Sequence, residues 1–352
     1  MRVSLMPALR RGEFHATGVL LAIALGGVAA APAAQAAAGS GGPVHKAVIK
    51  RMSGLRIAAT IPVGKIADWV VVTSDAVWAG SKGPGGKAPF ALNEIDPATN
   101  RVTSVPLPGE PCAGIASGLE YLWVPLCGKE PGLAKIDPKT HALVQVFKVG
   151  PAAPEGGITT GAGGVWMITD KQGSLAKIDP ANGAVLKVAQ VPAGSYNPRF
   201  SDGLVWVSRA AGAEVTSVDA VTGEVLKHVR TGKHPRFLTA GAGAVWTLNQ
   251  GDGTLSRVDA AGSGSAHKVQ LHTPGAGGDV TYADGRVWST VMKTPLSVVD
   301  AASSKVLCQW KGVGGDAIAV GLGAIWLTNY ASGTVSRIEL SDIPAECLGA
   351  KP

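Results

Sequence analysis

Short runs of alternating apolar and polar residues cover the chain from residue 55 onwards. The runs are six to eight residues long and are bounded by Gly, Asn or Asp, as in residues 234–272, where four of them follow one another. This alternation is typical of β-strands that are half buried and joined by tight turns. No window shows the sustained apolar spacing of an amphipathic helix. The pattern therefore predicts an all-β protein.

The strands belong to a repeat that occurs seven times, with a tryptophan after two small or apolar residues in every copy. The repeated tryptophans are Trp78, Trp123, Trp166, Trp206, Trp246, Trp288 and Trp326. An acidic residue ends a later strand of each repeat, mostly in an IDPxTG-like turn. These acidic residues are Asp96, Asp137, Asp179, Asp219, Asp259, Asp300 and Glu339. Because both residues recur in nearly every copy, we interpret them as packing anchors and turn formers rather than as functional residues.

Four short strands in about 40 to 45 residues make one blade of a β-propeller. The last repeat lacks its fourth strand, whereas residues 55–64 form a solitary strand that matches the missing one. Supplying that strand from the N-terminal side closes the ring and removes an exposed edge. We therefore predict a seven-bladed β-propeller over residues 55–352, with four antiparallel strands per blade and an N-terminal closing strand.

The first 36 residues have the features of an export signal. Arginines precede an apolar stretch at residues 18–31, and an Ala-Gln-Ala cleavage site follows at residues 34–36. Residues 37–54 are small, polar and basic, and we interpret them as a flexible leader. The sequence thus predicts a periplasmic or secreted protein with no integral membrane segment after cleavage. The route of export, general or twin-arginine, stays open.

The amino-acid composition and the net charge indicate which classes of partner to expect. The 48 glycines suit a chain with many tight turns. The net charge of +7 falls to +5 once the signal, with three Arg and one Glu, is removed. That balance is modest and the basic residues are scattered, so we do not expect a nucleic-acid partner. We expect a monomer whose partner is a small molecule or a protein of the cell envelope.

Four cysteines remain in a chain bound for an oxidising compartment, which favours disulfides over metal or thiol chemistry. Cys112 and Cys127 lie on either side of one predicted hairpin turn. Cys308 lies on the outer strand of blade 6 and Cys347 in the tail after the last strand. We predict the bonds Cys112–Cys127 and Cys308–Cys347, both structural.

The repeats resemble known exported propellers. The segments LRIAATIPVG, EIDPATNRV and WLTNYASGTVSRIE resemble the YVTN-type repeat, and GITTGAGGVWMIT at residues 157–169 is similar to the streptogramin lyase (virginiamycin B lyase) family. The second resemblance implies elimination of a C–O bond in a cyclic depsipeptide, with a divalent metal and catalytic His and Glu residues. In that family a histidine follows the proline of the inner strands. Here the corresponding residues are Cys112, Glu155, Arg199 and Arg236.

Function is expected in the loops on one face of the ring, where the residues that enter the inner strands differ from blade to blade. Three carboxylates of neighbouring blades, Asp68, Asp279 and Asp316, are candidate ligands of Mg²⁺ or Ca²⁺, which prefer oxygen ligands. The alternative is a solvated, mutually compensating ring of charges. Candidate ligand-binding residues of the same face are Arg199, Arg236, Asn197, Tyr196, Asn249 and Asn329.

Two functions remain open from the sequence. The first is a non-catalytic propeller that binds a small ligand, a divalent cation or a partner protein on its loop face. The second is a metal-dependent enzyme of the streptogramin lyase type. Its base would be His234 or Glu155, beside a cation held by the three aspartates.

Overall fold

The computed structural model describes residues 47–260 and 264–349. The strands form seven sheets, and each sheet is one blade of a propeller ring whose four repeat strands are antiparallel. The predicted signal at residues 1–36 and the leader up to residue 46 lie outside the described residues. No described helix is long and apolar enough to cross a membrane.

Each blade is built from an inner, a second, a third and an outer strand. In order from blade 1 to blade 7, the inner strands are Ile66–Val72, Glu110–Pro111 with Ala116–Gly118, Ile158–Gly161, Pro198–Ser201, Pro235–Gly241, Val280–Ala283 and Ile318–Gly321. In the same order, the second strands are Val77–Lys82, Tyr121–Cys127, Gly164–Ile168, Leu204–Arg209, Ala244–Asn249, Arg286–Val291 and Ala324–Asn329. The third strands are Phe90–Ile95, Gly132–Asp137, Ser174–Ile178, Glu214–Asp219, Thr254–Asp259, Thr294–Asp300 and Thr334–Glu339. The outer strands are Val102–Leu107, Ala142–Phe147, Val185–Gln190, Val225–Arg230, Ala266–Gln270, Lys305–Lys311 and Ala59–Pro62.

Within residues 47–260 and 264–349, helical structure is confined to single turns. Short 3₁₀ segments occupy Met52–Gly54, Pro84–Gly86, Tyr330–Ser332 and Leu340–Asp342, and one α-helical turn spans Ala345–Leu348. Tight turns join most inner strands to the second strands, as at Ala162 and Gly163, where both residues have positive φ. Two consecutive positive φ angles define a type I′ turn, whose twist matches that of the strands it joins. The all-β prediction is confirmed.

The N-terminal closing strand is confirmed and is shorter than the sequence indicates. Ala59–Pro62 pairs antiparallel with the third strand of blade 7, with Ala59 opposite Arg337. A strand from the N-terminal side thus completes the last blade and covers the outer edge of its third strand.

Blade 6 has a fifth strand that the sequence analysis did not foresee. Val48–Arg51 pairs in parallel with the outer strand Lys305–Lys311. The prediction of a flexible leader is therefore wrong for residues 48–54, which form this strand and a 3₁₀ turn. Trp310, one of two tryptophans outside the repeat register, lies opposite Lys50 in the neighbouring outer strand and is fully buried. Met52 of the following turn packs against the core cluster that contains Trp310, so this segment contributes apolar contacts that a solvated leader would lack.

The seven repeat tryptophans are buried between the blades, which confirms their packing role. In several blades a basic side chain of the third strand lies over the tryptophan and donates to the next blade. Lys135 lies near Trp123 and donates to the Pro180 carbonyl at 2.8 Å. Arg337 lies over Trp326 and donates to blade 1, at the Pro97 carbonyl and at Asn100 Oδ1 (3.1 Å).

Five of the repeat aspartates accept backbone N–H bonds in their turns, as predicted: Asp96, Asp137, Asp179, Asp219 and Asp300. Asp96 Oδ1 accepts from the amides of Ala98 and Thr99, and Asp219 Oδ1 from those of Val221 and Thr222. These backbone bonds hold the pKa of Asp96 and of Asp219 below the ordinary value.

Both predicted disulfides are present. Cys112 and Cys127 are bonded across the entry of blade 2. Cys308 of blade 6 is bonded to Cys347 in the C-terminal helical turn, and both of these cysteines are fully buried. Arg286 Nε donates to the Leu348 carbonyl at 2.5 Å, so the C-terminal segment is held to blade 6 by a covalent bond and a polar one.

Candidate functional site

Charged residues from five blades meet at one end of the central channel, on the face formed by the connections that enter the inner strands. We call this cavity the channel mouth, and its volume is about 220 Å³. The side chains that define it are Asp68, Trp69, Glu155, Arg236, Asp279 and Asp316. The three aspartates that the sequence singled out therefore do share one site. Glu155 joins them from blade 3, which is not a neighbour of their blades.

Trp69 separates the channel mouth from the channel cavity below it. That cavity has a volume of about 450 Å³ and is lined by inner strands; Trp69 and Asp279 line both spaces. Trp69 sits at a bulge in the inner strand of blade 1 with a φ of 55°, which is unusual for a bulky residue. Its indole is 7% exposed and Nε1 has no hydrogen-bond partner among the described residues. Such strain is found at ligand-contacting sites more often than elsewhere.

Asp68 belongs to a buried group of charges beside the mouth. Its side chain is 3% exposed, and Oδ2 lies 3.5 Å from Lys82 Nζ, which in turn contacts Glu110 Oε1 at 2.9 Å. Burial raises the pKa of Asp68 to about 7; the charge of Glu155 adds to this and that of Lys82 opposes it. Burial lowers the pKa of Lys82, but the bond to Glu110 and the nearby carboxylates outweigh it, so this pKa lies above the ordinary value. The group therefore favours a charged Lys82 and a carboxyl at Asp68 that exchanges its proton near neutral pH.

Glu155 projects into the mouth from the connection between blades 2 and 3. Its backbone has a φ of 63° and donates from N–H to the Cys112 carbonyl at 2.6 Å, next to a disulfide. Among the described residues its carboxylate makes no hydrogen bond or ion pair. Burial, and next the charge of Asp316, raise the pKa of Glu155, while Arg236 opposes the shift. Glu155 is therefore a positioned carboxylate with free acceptor capacity.

Asp316 and Asp279 are partly buried and partly satisfied by the backbone. Asp316 Oδ1 accepts from the Gly278 amide at 3.3 Å, and Asp279 Oδ1 from the Val280 amide at 2.7 Å. Burial raises the pKa of Asp279 to about 6 and also raises that of Asp316, although these backbone bonds oppose both shifts.

Two arginines supply the positive charge opposite these carboxylates. Arg236 Nη2 donates to the Tyr196 hydroxyl at 2.6 Å, and that hydroxyl donates to the Pro154 carbonyl at 3.0 Å. Burial raises the pKa of Tyr196 to about 12, despite the opposing charge of Arg236. Arg199 lies lower, in the channel cavity, where its Nε and Nη2 donate to the Leu238 carbonyl of blade 5.

The remaining predicted residues have structural partners or lie away from the mouth. Asn249 is fully buried and donates to Thr254 and Ser256 within its own hairpin, and Asn329 has the same kind of partners in blade 7. Asn197 Oδ1 accepts from the Leu238 amide and so links blades 4 and 5. His234 is exposed, and no histidine is found among the described residues that line the mouth.

No three His, Cys, Asp or Glu residues in the described ranges are arranged to hold a metal ion. Asp68 is engaged with Lys82, and Asp279 and Asp316 each accept a backbone N–H, which reduces their capacity as ligands. The residues of the mouth thus do not form a preorganised set of ligands for Mg²⁺ or Ca²⁺. The cation site stays a prediction.

An apolar groove continues from the mouth over blades 6 and 7. We call it the blade 6–7 groove; its volume is about 730 Å³, and Glu155 and Asp316 line it where it meets the mouth. Its apolar side chains are Met292, Val313 and Tyr330, which are 63%, 95% and 42% exposed. Lys293 is the basic residue of its lining. A charged mouth and an apolar groove therefore form one continuous surface.

The sequence analysis missed several residues of this site. Lys82 and Glu110 lie outside the repeated motif, at positions where the residue type differs from blade to blade. The repeat therefore does not single them out. Trp69 could have been singled out from the sequence, since it is one of the two tryptophans outside the repeat register. Met292 and Val313 are exposed apolar residues in turns of a glycine-rich chain, which is a weak signal by itself.

Comparisons with known proteins agree with the fold. The structure is similar to that of BamB from Moraxella catarrhalis, with a TM-score of 0.57 and 13% sequence identity over 81% of this chain and 100% of the other. No protein-family model matches the chain, and no curated protein matches its sequence. Because 1412 solved chains match the structure, the propeller fold does not by itself select a function.

Proposed function

We propose that this protein is an exported, non-catalytic binding propeller that holds its ligand at the channel mouth. The observation that supports the proposal most is the convergence of charged residues from blades 1, 3, 5, 6 and 7 on one cavity, with Trp69 as its floor. Concave sites with a few converging polar groups beside apolar surface are typical of ligand-binding sites. The two disulfides suit an oxidising compartment outside the cytoplasm.

The lyase function is the second candidate, and Glu155 is the observation in its favour. A partly buried carboxyl with a raised pKa and no hydrogen bond could accept a proton from a substrate. The exposed position of His234 does not support it as a partner of Glu155, and the resemblance to the YVTN-type and streptogramin lyase repeats concerns architecture. The observations therefore support the binding function better than the lyase function.

A ligand screen by thermal melting tests the binding function. A ligand that prefers the folded state raises the melting temperature by an amount that depends on its concentration and affinity. We expect ligands found in this way to lose their effect in the mouth variants Glu155→Gln and Asp316→Asn but not in Glu130→Gln, which changes an exposed carboxylate of the same face. Ligands that stabilise all four proteins equally would place binding elsewhere and contradict the proposal.

Turnover of a streptogramin B lactone, in the presence and absence of Mg²⁺, tests the lyase function. We expect no product above the rate without protein. Product formation that is abolished by Glu155→Gln or by His234→Ala would replace the binding function by the catalytic one.

A further inference from the structure

Exposed charged side chains are distributed unequally between the two faces of the ring. On the loop face, which carries the channel mouth, Glu130 is the one exposed carboxylate in the described connections. Exposed lysines lie in the connections of several blades of this face, among them Lys65, Lys129, Lys171, Lys233 and Lys293. In the turns of the opposite face the exposed charged side chains are mainly carboxylates, among them Asp75, Glu120, Asp202 and Asp284. The loop face is therefore the face that an anionic surface attracts.

Three large apolar side chains project from neighbouring connections of the same face. Met292 lies in the turn between the second and third strands of blade 6, Val313 in the connection to blade 7, and Tyr330 in the corresponding turn of blade 7. Val313 is 95% exposed and stands between two glycines. All three line the blade 6–7 groove, whereas the hairpin turns of the opposite face show Val221 as a single large exposed apolar side chain. Such a cluster on one face indicates a contact surface.

Lysines stand next to these apolar residues. Lys293 follows Met292 directly, and Lys311 precedes Val313 by two positions. Both lysines are exposed, and neither makes an ion pair among the described residues. An apolar side chain with a lysine beside it suits the boundary of a lipid bilayer, because the apolar group enters the headgroup layer while the amine stays in water near the phosphates.

We infer that the loop face of blades 6 and 7 docks on the surface of an anionic lipid membrane. Val313 and Met292 insert between the headgroups, and Lys293 and Lys311 contact the lipid phosphates. Protein interfaces instead pack around a continuous apolar core, which separate loop tips flanked by lysines do not offer. The inference goes beyond the proposed function, because it concerns the rim of the loop face and not the ligand of the channel mouth.

The acidic residues of the groove lie at its inner end. Glu155 and Asp316 line the groove where it meets the mouth, and both are half buried, whereas Val313 and Lys293 are exposed. The outer end of the groove therefore reaches a membrane before these carboxylates do. Glu155→Gln and Asp316→Asn should not weaken membrane binding, although both are expected to disturb ligand binding at the mouth.

Cosedimentation with lipid vesicles tests the inference. The vesicles consist of phosphatidylcholine alone or of an equal mixture of phosphatidylcholine and anionic phosphatidylglycerol. We expect the protein to bind the mixed vesicles, and to bind pure phosphatidylcholine much more weakly. Binding to the mixed vesicles should weaken as the salt concentration rises, because salt screens exposed charges.

Paired lysine variants test the charged part of the contact. The double variant Lys293→Gln/Lys311→Gln should lower the partition coefficient on mixed vesicles about tenfold or more, because each lysine beside an anionic bilayer contributes about a factor of five. The matched control is Lys139→Gln/Lys305→Gln, which removes two exposed lysines near the opposite face and should bind as the wild type does.

Substitutions of Val313 test the apolar part. Val313→Ser should weaken binding to mixed vesicles, whereas Val221→Ser, which changes the exposed valine of the opposite face, should not. Val313→Trp should show a blue shift of its tryptophan emission when mixed vesicles are added, since the indole leaves water, and Val221→Trp should show none. All these side chains are exposed, and circular dichroism checks that each variant retains the propeller.

The possible outcomes decide the inference. It is overturned if the protein does not bind mixed vesicles at low salt, or if the Lys293→Gln/Lys311→Gln and Val313→Ser variants bind as the wild type does. Binding of soluble poly-L-glutamate without binding of vesicles would identify an acidic polypeptide as the partner and would also overturn it. None of these results bears on the channel mouth, so the proposed function stands or falls by its own ligand screen.

Discussion

The indole of Trp69 meets the ring of Phe237 edge-on across the central channel, with ring centroids 5.7 Å apart and planes at 71°. Trp69 comes from the inner strand of blade 1 and Phe237 from that of blade 5, which are not neighbours in the ring. The contact therefore joins two inner strands that share no sheet and no blade interface. It closes the mouth at its lower end and gives both strands a common apolar partner.

A double-mutant cycle should reveal this contact as a coupling energy. We expect Trp69→Ala to lower the free energy of unfolding by about 3 kcal/mol, because a buried aromatic ring is lost. We expect the coupling between Trp69→Ala and Phe237→Ala to be about 1 kcal/mol, which is typical of edge-to-face aromatic pairs. Urea denaturation of the four proteins measures it. Strict additivity of the two single substitutions would contradict a direct contact.

Asp68 should make stability depend on pH in a definite direction. The pKa of its buried carboxyl is raised from 3.8 to about 7, so between these values the folded state holds a proton that the unfolded state has lost. Stability then falls as the pH rises through this window, by at most about 1.4 kcal/mol per pH unit from one group, and levels off above it. Asp68→Asn should show a shallower fall in the free energy of unfolding than the wild type, measured by urea denaturation between pH 4 and 7.

Asp96→Asn is the control for this measurement. Backbone N–H donors lower the pKa of Asp96, so its contribution is present above the unfolded value of 3.8 and is lost as the pH falls below it. This variant should therefore follow the wild-type slope between pH 4 and 7. Equal slopes for Asp68→Asn and the wild type would contradict a protonated Asp68.

Arg337 should contribute more to stability than Arg257, although the two occupy equivalent positions. Both guanidinium groups lie over a repeat tryptophan and beside an acidic residue of their own strand. Arg337 also donates to Pro97 and Asn100 of blade 1, whereas the described contacts of Arg257 include no bond to the next blade. We expect Arg337→Met to cost about 1 to 3 kcal/mol more than Arg257→Met, because it removes hydrogen bonds from a charged donor to partly buried acceptors. Equal losses in denaturant unfolding would show that the bonds across the ring closure contribute nothing.

The Cys308–Cys347 bond should stabilise the propeller more than the Cys112–Cys127 bond. It closes a segment of 39 residues against 15, and a longer closed loop removes more entropy from the unfolded chain. Cys347→Ser should lower the free energy of unfolding by about 2 to 4 kcal/mol. It should also release the Ala345–Leu348 turn, detectable as faster amide exchange there. A smaller loss than in Cys127→Ser would contradict the loop-length argument.

The blades and the closing strand could be predicted because each depends on a local, repeated pattern. The disulfides followed from the positions of the four cysteines within those blades. A Trp, an acidic turn residue and period-two alternation recur in every copy, so errors in one repeat are corrected by the others. The strand Val48–Arg51 could not be predicted in this way. It occurs once, it pairs with a residue range more than 250 positions away, and it is only four residues long, beside a small and polar segment.

The sequence by itself determined the architecture of this protein, because strand period, turn chemistry and repeat length are properties of neighbouring residues. It also identified Asp68, Asp279 and Asp316 as residues of one arc. Only the tertiary structure showed which other residues lie beside these three aspartates. Glu155 reaches the same mouth from blade 3, and Trp69 crosses to Phe237 of blade 5. Such contacts depend on side-chain direction across the channel and on single positive φ angles, which no alternation of apolar and polar residues encodes.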